Sequence, residues 1–538
     1  MAETVEINID QLQILIERLD KHSIIEEDYP LLELLVDTVV SINRELIKKN
    51  VTIARLRKLF AIKSEKSKDI LPASEPQKED QESPSTDQKD SASAGDTSEK
   101  IKKGHGRNGK DAYKNADKKS IPHQECKCGD RCSKCMKGKL YPVRDGGVFV
   151  HIIAQTPYKA TVYELEKFRC NLCGELFTAS PPEHTNNVKY DESVIAMTAI
   201  LKYGAGFPFY RIDRLQDNLG VPLPSSTQWE LIEAGAAALT PVYTDLIHLA
   251  AQGKVIHNDD TKMKVLSLMK ENKKNPGRKR KGIFTSGFIS RTDSWDIALY
   301  YTGRKTAGEN LKGLLEYRDP GNAPAIQMCD AASWNEQNEF DVLLANCLTH
   351  GRRNFVDLIE YFPSECTYLI KAFRKVYRND KLTRDKDLND DDRLMFHKKH
   401  SKPIMDEMHV WLNGQLDEKK VEPNSTLGIS IKYMLRHWKP LTLFLRQPGA
   451  PLDNNIAERA LKKAILHRKN SLFFKTENGA AVGDCFMSII HTCELNHVNP
   501  FHYLTTLLKN WARQSIAPQL WRPWNYLYQL PGGPGSAI

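Results

Sequence analysis

The sequence has no long hydrophobic run and few aromatic residues. None of its apolar stretches reaches the roughly 18 residues that a membrane-spanning helix requires. The first residues, Met1 to Thr4, include an acid and lack the basic and apolar regions of a signal peptide. Aromatic residues make up 8% of the chain, and apolar and charged residues make up 40% and 27%, which is near the globular average. We therefore expect a soluble, cytoplasmic protein with no membrane partner.

Aromatic residues are absent from the whole stretch between Phe60 and Tyr113. Within it, residues 69–99 contain nine Asp or Glu, two Lys and six Ser. Such a segment cannot bury enough apolar surface to offset the entropy lost on folding, so we predict an acidic disordered linker at residues 67–99. The formal charge of the whole chain is +9, and residues 69–99 carry −7, so the remainder carries +16. That remainder is suited to an anionic partner.

Before the linker, apolar residues recur with the spacing of a coiled coil. One series contains Leu35, Ile42 and Leu56 and is interrupted by Lys49. The other series contains Leu32, Val39, Leu46, Ile53 and Phe60. Offsets of three and four residues are those of a and d positions. We predict a coiled-coil oligomerisation region at residues 1–66, through which the chain forms a homodimer or higher oligomer. The alternative is an amphipathic helix in a local hairpin.

Six of the eleven cysteines fall within residues 126–173. In a chain without an export signal, this clustering favours metal binding over disulfides. Two Cys-x-x-Cys pairs, Cys132 with Cys135 and Cys170 with Cys173, are separated by 34 residues. Four thiolates from two tight turns are typical of structural zinc, so we predict one Zn²⁺ in a DNA-binding zinc ribbon at residues 123–180. The remaining candidate ligands of the cluster are His123, Cys126 and Cys128.

Two basic runs are candidate DNA-binding segments. Residues 100–119 contain eight Lys or Arg, and the candidate contacts there are His105, Arg107 and Lys110. The second run, Lys273 to Lys281, lies between predicted strands and contributes Arg278, Lys279 and Arg280. Flexible cations neutralise phosphates without needing a fold of their own. The alternative for both runs is a solvated surface.

From about residue 254 the chain contains short β-type runs, which predict a meander. These runs are Lys254 to His257, Met263 to Leu268, Ile283 to Ile289 and Trp295 to Tyr301. Asp259 and Asp260 follow the first run, and Asp330 follows a later apolar run, Ala325 to Cys329. Aspartates that meet at the ends of neighbouring strands would form a hard-oxygen site suited to Mg²⁺. The alternative is a turn or helix-cap role for each of them.

A third acid lies on a predicted helix. Asp453 follows Pro451 and is the predicted N-cap, which places Glu458 in the second turn, beside Lys462. Arg468 and Lys469 add positive charge further along. The alternative is an ordinary Glu–Lys pair on a helix surface.

In this order, the motifs resemble those of the IS66 (TnpC-type) insertion-sequence transposases, which are bacterial DDE recombinases with a ribonuclease-H-like core. The resemblance rests on Asn258 to Thr261, Cys329-Asp330, Cys347 to Phe355, Asp453 to Leu461, Arg468 to Asn470, the zinc knuckles, His105 to Arg107 and Asn499 to Leu504. It implies a multidomain α+β protein in which a coiled-coil helix and a zinc ribbon precede a ribonuclease-H-like α/β core with a helical insertion.

The resemblance implies that Asp259, Asp330 and Glu458 hold two Mg²⁺ or Mn²⁺ ions, with Asp260 as the neighbouring alternative. Two such cations, about 3.5 to 4 Å apart, support hydrolytic cleavage at the 3′ end and then strand transfer by the freed 3′-OH. The implied partners are the terminal inverted repeats, target DNA and accessory proteins encoded by the same element, in a nucleoid-associated location. Further implied DNA contacts are His350, Arg352, Arg353, Arg459, Lys462, Arg468 and Lys469. The alternatives are a non-catalytic, zinc-dependent DNA-binding regulator and a structure-specific nuclease without strand transfer.

The expected domain organisation combines these predictions. After the coiled coil and the linker come a basic arm at 100–122, the zinc ribbon, a helical connector at 181–250, the first part of the catalytic core at 251–345, a helical insertion at 346–448, the last part of the core at 449–485 and a helical tail at 486–538.

Overall fold

A computed structural model describes Arg18 and residues 128–131, 137, 139, 141, 156–169, 176–185, 188–336 and 339–532. Several predicted features therefore lie outside the described residues. They are the coiled coil apart from Arg18, the acidic linker, the basic arm with His105, Arg107 and Lys110, and the zinc ligands Cys132, Cys135, Cys170 and Cys173, together with His123 and Cys126. Cys128 is described and is an exposed free thiol.

Seven strands are formed in the described chain: β1 (Lys167–Arg169), β2 (Leu176–Thr178), β3 (Val255–Lys262), β4 (Phe284–Arg291), β5 (Asp296–Gly303), β6 (Ala325–Cys329) and β7 (Val342–Asn346). The described helices are α1 (Glu192–Ala199), α2 (Phe209–Asn218), α3 (Ser225–Ala250), α4 (Leu266–Lys274), α5 (Ala307–Leu315), α6 (Leu348–Val356), α7 (Pro363–Asp385), α8 (Asp390–His400), α9 (Lys402–Asp417), α10 (Thr426–Arg436), α11 (Trp438–Leu441), α12 (Asn455–Ser471), α13 (Glu477–Leu495), α14 (Pro500–Lys509) and α15 (Trp511–Ile516). A π-helix, Ile200–Gly204, continues α1. No described helix combines the length and the hydropathy needed to cross a membrane.

The described chain divides into two compact units. The smaller one contains residues 350–388 and 395–436, and it is helical. Within it, α9 packs against α7 and α10 through an apolar core that includes Phe373, Met405 and Met408. The Tyr368 ring lies 4.9 Å from the Trp411 ring, centroid to centroid, and ties α7 to α9.

The larger unit is built around a five-stranded mixed sheet with the order β5-β4-β3-β6-β7. The strands β3, β4 and β5 form an antiparallel meander, whereas β6 and β7 run parallel to β3. The chain passes from β5 to β6 through α5, and this connection crosses over β4 and β3 to bring β6 in parallel beside β3. Together with the helices, this sheet makes the unit an α+β domain, in agreement with the predicted α+β class.

The predicted meander is confirmed, but one of the runs that were predicted to be strands does not form a strand. Met263 to Leu268 does not form a strand, because the chain leaves β3 at Lys262 and α4 begins at Leu266. The basic run 273–281 therefore begins in the last residues of α4, within the connection between the antiparallel strands β3 and β4. The apolar spacing of Leu266, Leu268 and Met269 suits a short helix as well as a strand, so the pattern alone does not distinguish them.

The edge strand β5 is covered by α13, which lies alongside it. Main-chain N–H groups of Ala298, Tyr300 and Thr302 donate to Thr492 Oγ1 at 3.0 Å, Ser488 Oγ at 3.0 Å and Asp484 Oδ2 at 2.6 Å. Four residues of helix rise about 6 Å, and two residues of strand rise about 6.6 Å, so the two repeats stay in step. Side chains of α13 thus satisfy donors that an exposed edge would leave unpaired.

The small pair β1 and β2 is antiparallel, with Arg169 opposite Leu176. The segment between these two strands contains Cys170 and Cys173. In the same way, an isolated antiparallel bridge joins Arg131 to Lys139 on either side of Cys132 and Cys135.

Candidate active site

The candidate site lies just beyond the part of β3 that pairs with β6, where β6 ends at Cys329 and β3 continues to Lys262. The two strands are parallel, and His257 is opposite Met328. Asp259 and Asp330 each come two residues further along the chain. The same register therefore brings them side by side, beyond the last paired residues of these two strands. Both side chains are half-buried. The structure thus brings the two aspartates together, but the predicted strand end is wrong for Asp259, which lies inside β3, whereas Asp330 directly follows β6.

A single amide contacts both aspartates. Asn335 Nδ2 lies 3.5 Å from Asp259 Oδ1 and donates a short hydrogen bond to Asp330 Oδ1. Main-chain donors contact the same two oxygens, since the N–H of Asp260 lies 2.8 Å from Asp259 Oδ1 and that of Ala332 lies 3.4 Å from Asp330 Oδ1. Neither Oδ2 oxygen accepts a hydrogen bond from the described residues.

Burial and neighbouring acids raise the pKa of Asp259 to about 7. Burial is the largest cause, and the negative charges of Asp330, Glu458 and Asp260 add to it, while the hydrogen bond from the Asp260 N–H opposes it. A carboxyl with a raised pKa beside other carboxyls is stabilised as the anion by a cation. The site is therefore electrostatically suited to a divalent metal.

Asp260 faces the fold instead. Its Oδ1 accepts from Ser286 Oγ on β4 at 2.6 Å, and its Oδ2 accepts from the N–H of Ala307, the first residue of α5, at 2.8 Å. Burial raises its pKa to about 6, and the charges of Asp330 and Glu309 contribute. Because both of its oxygens accept hydrogen bonds from protein donors, Asp260 joins β3 to β4 and α5.

Glu458 lies in the first turn of α12, which packs against β3 and β4. The predicted N-cap is wrong by one residue, because the helix begins at Asn455 with Asn454 in the cap position. Asp453 Oδ1 instead accepts from the N–H of Asn455 at 3.1 Å, as an Asx turn.

Asn454 fixes the start of this helix to the sheet. Its Oδ1 lies 3.1 Å from His257 Nδ1, and its Nδ2 donates to the carbonyl of Asn258 at 2.9 Å. Its main-chain N–H points at Cys347 Sγ, at 3.2 Å. Burial lowers the pKa of His257 to about 4, so the imidazole is neutral at physiological pH.

The three acids do not converge on one point. No group of three metal-ligating side chains among the described residues includes Asp259, Asp330 and Glu458 within 4.8 Å of one another. A Glu458 carboxylate oxygen lies within 4.8 Å of Cys347 Sγ. Glu458 is nevertheless close enough to Asp259 to raise the pKa of that carboxyl.

The basic residues predicted on α12 occupy two kinds of position. Arg459, Lys462 and Lys469 are exposed. Arg468 is half-buried, and its Nη1 donates to Thr261 Oγ1 at 2.9 Å and to the carbonyl of Lys262. The Arg468 side chain therefore joins the last turn of α12 to the end of β3.

The basic run before β4 is exposed but partly paired with acids. Arg280 forms a bidentate ion pair with Glu309 at 2.5 Å, and Arg278 lies 3.3 Å from Glu271. Lys279 is exposed. The other predicted contacts, His350, Arg352 and Arg353, lie on α6, where Arg352 is buried and the other two are half-buried.

Sequence reasoning missed Asn335, Asn454 and His257. One signal was present, because the polar pair His257-Asn258 interrupts an apolar run, as Gln327 does in β6. Buried polar residues in a strand require partners, but the sequence does not name those partners.

Residues 187–482, more than half of the chain, match the model of the IS66 family of transposases. The chain belongs to this family, and its function is of the transposase type.

Curated relatives include three proteins of Sinorhizobium fredii (strain NBRC 101917 / NGR234). Uncharacterized protein y4hP is 26% identical over 72% of this chain and 71% of its own length. Uncharacterized protein y4jD is 24% identical over 67% and 71%, and uncharacterized protein y4qI is 25% identical over 62% of each chain. These names assign no reaction to the relatives.

Proposed function

We propose that this protein is a DDE-type transposase that cleaves the 3′ ends of its insertion sequence and joins them to target DNA. Asp259, Asp330 and Glu458 are the three acids of its active site. The observation that carries the proposal is that Asp259 and Asp330 lie side by side on the parallel strand pair β3 and β6 and share the amide of Asn335. The Oδ2 oxygen of each accepts no hydrogen bond from the described residues.

These residues fit divalent metal. Carboxylate oxygens are the ligands that Mg²⁺ and Mn²⁺ prefer, and a bound cation would offset the burial and the neighbouring negative charges that raise the pKa of Asp259. Two bound cations would activate the attacking oxygen and stabilise the leaving one. The chain's part is to hold the acids in place: β3 carries Asp259, the end of β6 carries Asp330, and α12 carries Glu458.

The sheet supports a ribonuclease-H-like core. If the five strands are numbered one to five along the chain, their order is 3-2-1-4-5, with the first three antiparallel and the last two parallel to the first. Asp259 lies on the first of these strands, and Asp330 directly follows the fourth, which is parallel to the first and next to it.

The DNA-binding surface proposed for the core is α12. Arg459, Lys462 and Lys469 are exposed on the helix that carries Glu458, so phosphates bound there would lie near the acids. We further propose the zinc ribbon as the domain that binds the inverted repeats, and the coiled coil as the means of pairing two ends. We also propose that accessory proteins encoded by the same element are partners of this protein.

The two alternatives predict different products. A regulator would bind the element ends and cut nothing, and a plain nuclease would cut without joining. The paired acids favour an enzyme over a regulator, because DNA binding alone does not require two adjacent carboxylates joined by one amide.

The test is cleavage of a labelled duplex that carries the terminal repeat flanking the gene, in Mg²⁺. Asp259→Asn, Asp330→Asn and Glu458→Gln should each abolish cleavage and retain binding of the same duplex in a gel shift. The matched control is Glu477→Gln, an exposed acid in the first turn of α13, which should cleave as the wild type does. Cleavage at the wild-type rate by Asp259→Asn or Asp330→Asn would contradict the assignment.

Strand transfer is tested separately with a precleaved end that carries a free 3′-OH. A joined product, lost in the same three variants, supports a transposase. Efficient cleavage with no joined product from either substrate supports the nuclease.

A further inference from the structure

The two active-site aspartates are held by their Oδ1 oxygens. Asn335 Nδ2 contacts both, and the N–H groups of Asp260 and Ala332 provide one further donor to each. In each carboxylate, all the described donors therefore contact Oδ1 and none contacts Oδ2. A carboxylate fixed through one oxygen has a defined orientation, and its other oxygen is left available for a ligand.

Asn335 itself is held by the sheet that carries the aspartates. It is 1% exposed, and its main-chain carbonyl accepts from Gln327 Nε2 at 2.7 Å and from Asn258 Nδ2 at 2.8 Å. Gln327 lies on β6 and Asn258 on β3, and Gln327 also donates to Asn258 Oδ1 at 3.1 Å. The side chains that fix Asn335 thus come from the two strands that position the aspartates. These are β3, which carries Asp259, and β6, which Asp330 directly follows.

The loop around Asn335 is also packed tightly against α5. The N–H of Gly308 donates to the carbonyl of Trp334 at 3.1 Å. A Cβ atom at Gly308 would lie 2.2 Å from the carbonyl oxygen of Glu336 and 3.0 Å from that of Trp334, which no folded protein tolerates without a shift. The position of the loop is therefore set by protein packing.

The remaining atom of the amide is unpaired. Asn335 Oδ1 is buried and accepts no hydrogen bond from the described residues. A buried polar atom without a partner is costly, and such atoms recur at functional sites. Here it lies on the side chain that spans the two acids.

We propose that Asn335 is a positioning residue that brings the Asp259 and Asp330 carboxylates together and orients them for metal before any metal binds. Two adjacent carboxylates repel each other, and an amide shared between them offsets part of that repulsion. Without the shared donor, the acids would separate or rotate, and the metal would have to reorganise them. This inference rests on the proposed function, because it takes Asp259 and Asp330 as metal ligands.

The test is Mn²⁺ binding to the full-length protein, measured by isothermal titration calorimetry in the absence of DNA. Asn335→Leu keeps the branched shape and removes the amide, and Asn335→Ala removes the side chain without adding bulk. Both should bind Mn²⁺ about 10- to 100-fold more weakly than the wild type, the usual effect of losing a group that orients metal ligands. Ser333→Ala, an exposed position in the same loop, should bind as the wild type does.

Gly308→Ala provides an independent test, because it displaces the loop and leaves the Asn335 side chain intact. It should also weaken Mn²⁺ binding. Thermal unfolding in EDTA is measured for every variant, and the comparison uses those whose midpoint stays near that of the wild type. Wild-type or tighter Mn²⁺ affinity in a folded Asn335 variant would overturn the inference.

The two proposals fail differently. If Asp259→Asn and Asp330→Asn lose Mn²⁺ binding but the Asn335 variants keep it, only the positioning role is wrong. If the two aspartate variants bind Mn²⁺ like the wild type, the metal site itself is wrong.

Discussion

The hydroxyl of Tyr300 donates to the main-chain carbonyl of Ala460 at 2.8 Å. Tyr300 lies on β5 and is completely buried, and Ala460 lies on α12, two residues after Glu458. A main-chain carbonyl oxygen can only accept a hydrogen bond, so the proton of the Tyr300 hydroxyl points at the Ala460 carbonyl. His491 Nδ1, 2.8 Å away, must then be the donor to the Tyr300 oxygen. Burial lowers the pKa of His491 to about 3, so it donates as the neutral ring.

Tyr300→Phe should destabilise the fold by about 1–3 kcal/mol, because it removes a buried hydrogen bond to the Ala460 carbonyl and takes away the acceptor of the buried His491 N–H. Urea unfolding of the full chain, followed by circular dichroism, measures the change. Tyr528→Phe removes an exposed hydroxyl and serves as the control, with an unfolding midpoint expected near that of the wild type. Equal stabilities for the two variants would mean that the buried hydroxyl makes no net contribution.

The helix that carries Glu458 approaches the sheet at a glycine. Gly287 on β4 is opposite Asp259 in the antiparallel register, and a Cβ atom there would lie 2.8 Å from Leu461 Cδ2 and 3.8 Å from Tyr300 Cε1. Gly287→Val should therefore displace α12 and cost about 1–3 kcal/mol in stability through overpacking. It should also reduce Mg²⁺-dependent cleavage, because Glu458 moves with the helix.

Gly303→Val is the matched control for this effect. Gly303 lies in the same sheet, on β5, and a Cβ atom there has no neighbour within 4 Å. Cleavage and stability near wild-type values are expected for this control. Unimpaired cleavage by Gly287→Val would show that the close approach of α12 has no part in the reaction.

Local pattern predicted much of the sheet and the positions of its acids. The apolar run Ala325 to Cys329 is β6 with the same limits, and Ile283 to Ile289 overlaps β4. Apolar runs and the polar residues that end them are readable from neighbours in the chain. The interpretation of Met263 to Leu268 failed because helix and strand share that short apolar spacing.

The contacts that complete the site were not predictable in the same way. Asn335 contacts Asp259 across 76 positions of sequence, and Asn454 contacts His257 across 197. Such hydrogen bonds depend on how the sheet and α12 come together, and an asparagine before a helix or in a loop is equally typical of an ordinary turn. Asp260 illustrates the same point, since only its bonds to Ser286 and Ala307 distinguish it from Asp259.

Asp484 should make stability depend on pH. It is buried on α13, where it accepts from the N–H and hydroxyl of Thr302, and burial raises its pKa from 3.8 to about 7. Between about pH 4 and pH 7 the folded chain keeps this proton and the unfolded chain loses it. The contribution of Asp484 is therefore full below about pH 4 and is lost as the pH rises toward 7.

Asp484→Asn should make stability less sensitive to pH than in the wild type, because an amide keeps both contacts to Thr302 and does not titrate. Urea unfolding at pH 5 and at pH 8 gives the comparison, with the exposed Glu477→Gln as a control expected to match the wild type. If Asp484→Asn kept the full wild-type difference between the two pH values, this carboxyl would not be its source.

The exposed cations of α12 should determine the salt dependence of DNA binding by the core. Arg459, Lys462 and Lys469 lie on the surface of the helix that carries Glu458, so replacing all three with alanine should weaken binding with little effect on the fold. Each lost phosphate contact should reduce the slope of log K against log salt concentration by about 0.9. Fluorescence anisotropy with a labelled duplex, repeated over a range of KCl concentrations, measures both quantities. Lys398→Ala with Lys399→Ala removes two exposed cations from α8 and is the control. Equal slopes for the α12 variant and the wild type would exclude this helix from the phosphate-binding surface and would leave Glu458 without adjacent DNA contacts on its own helix.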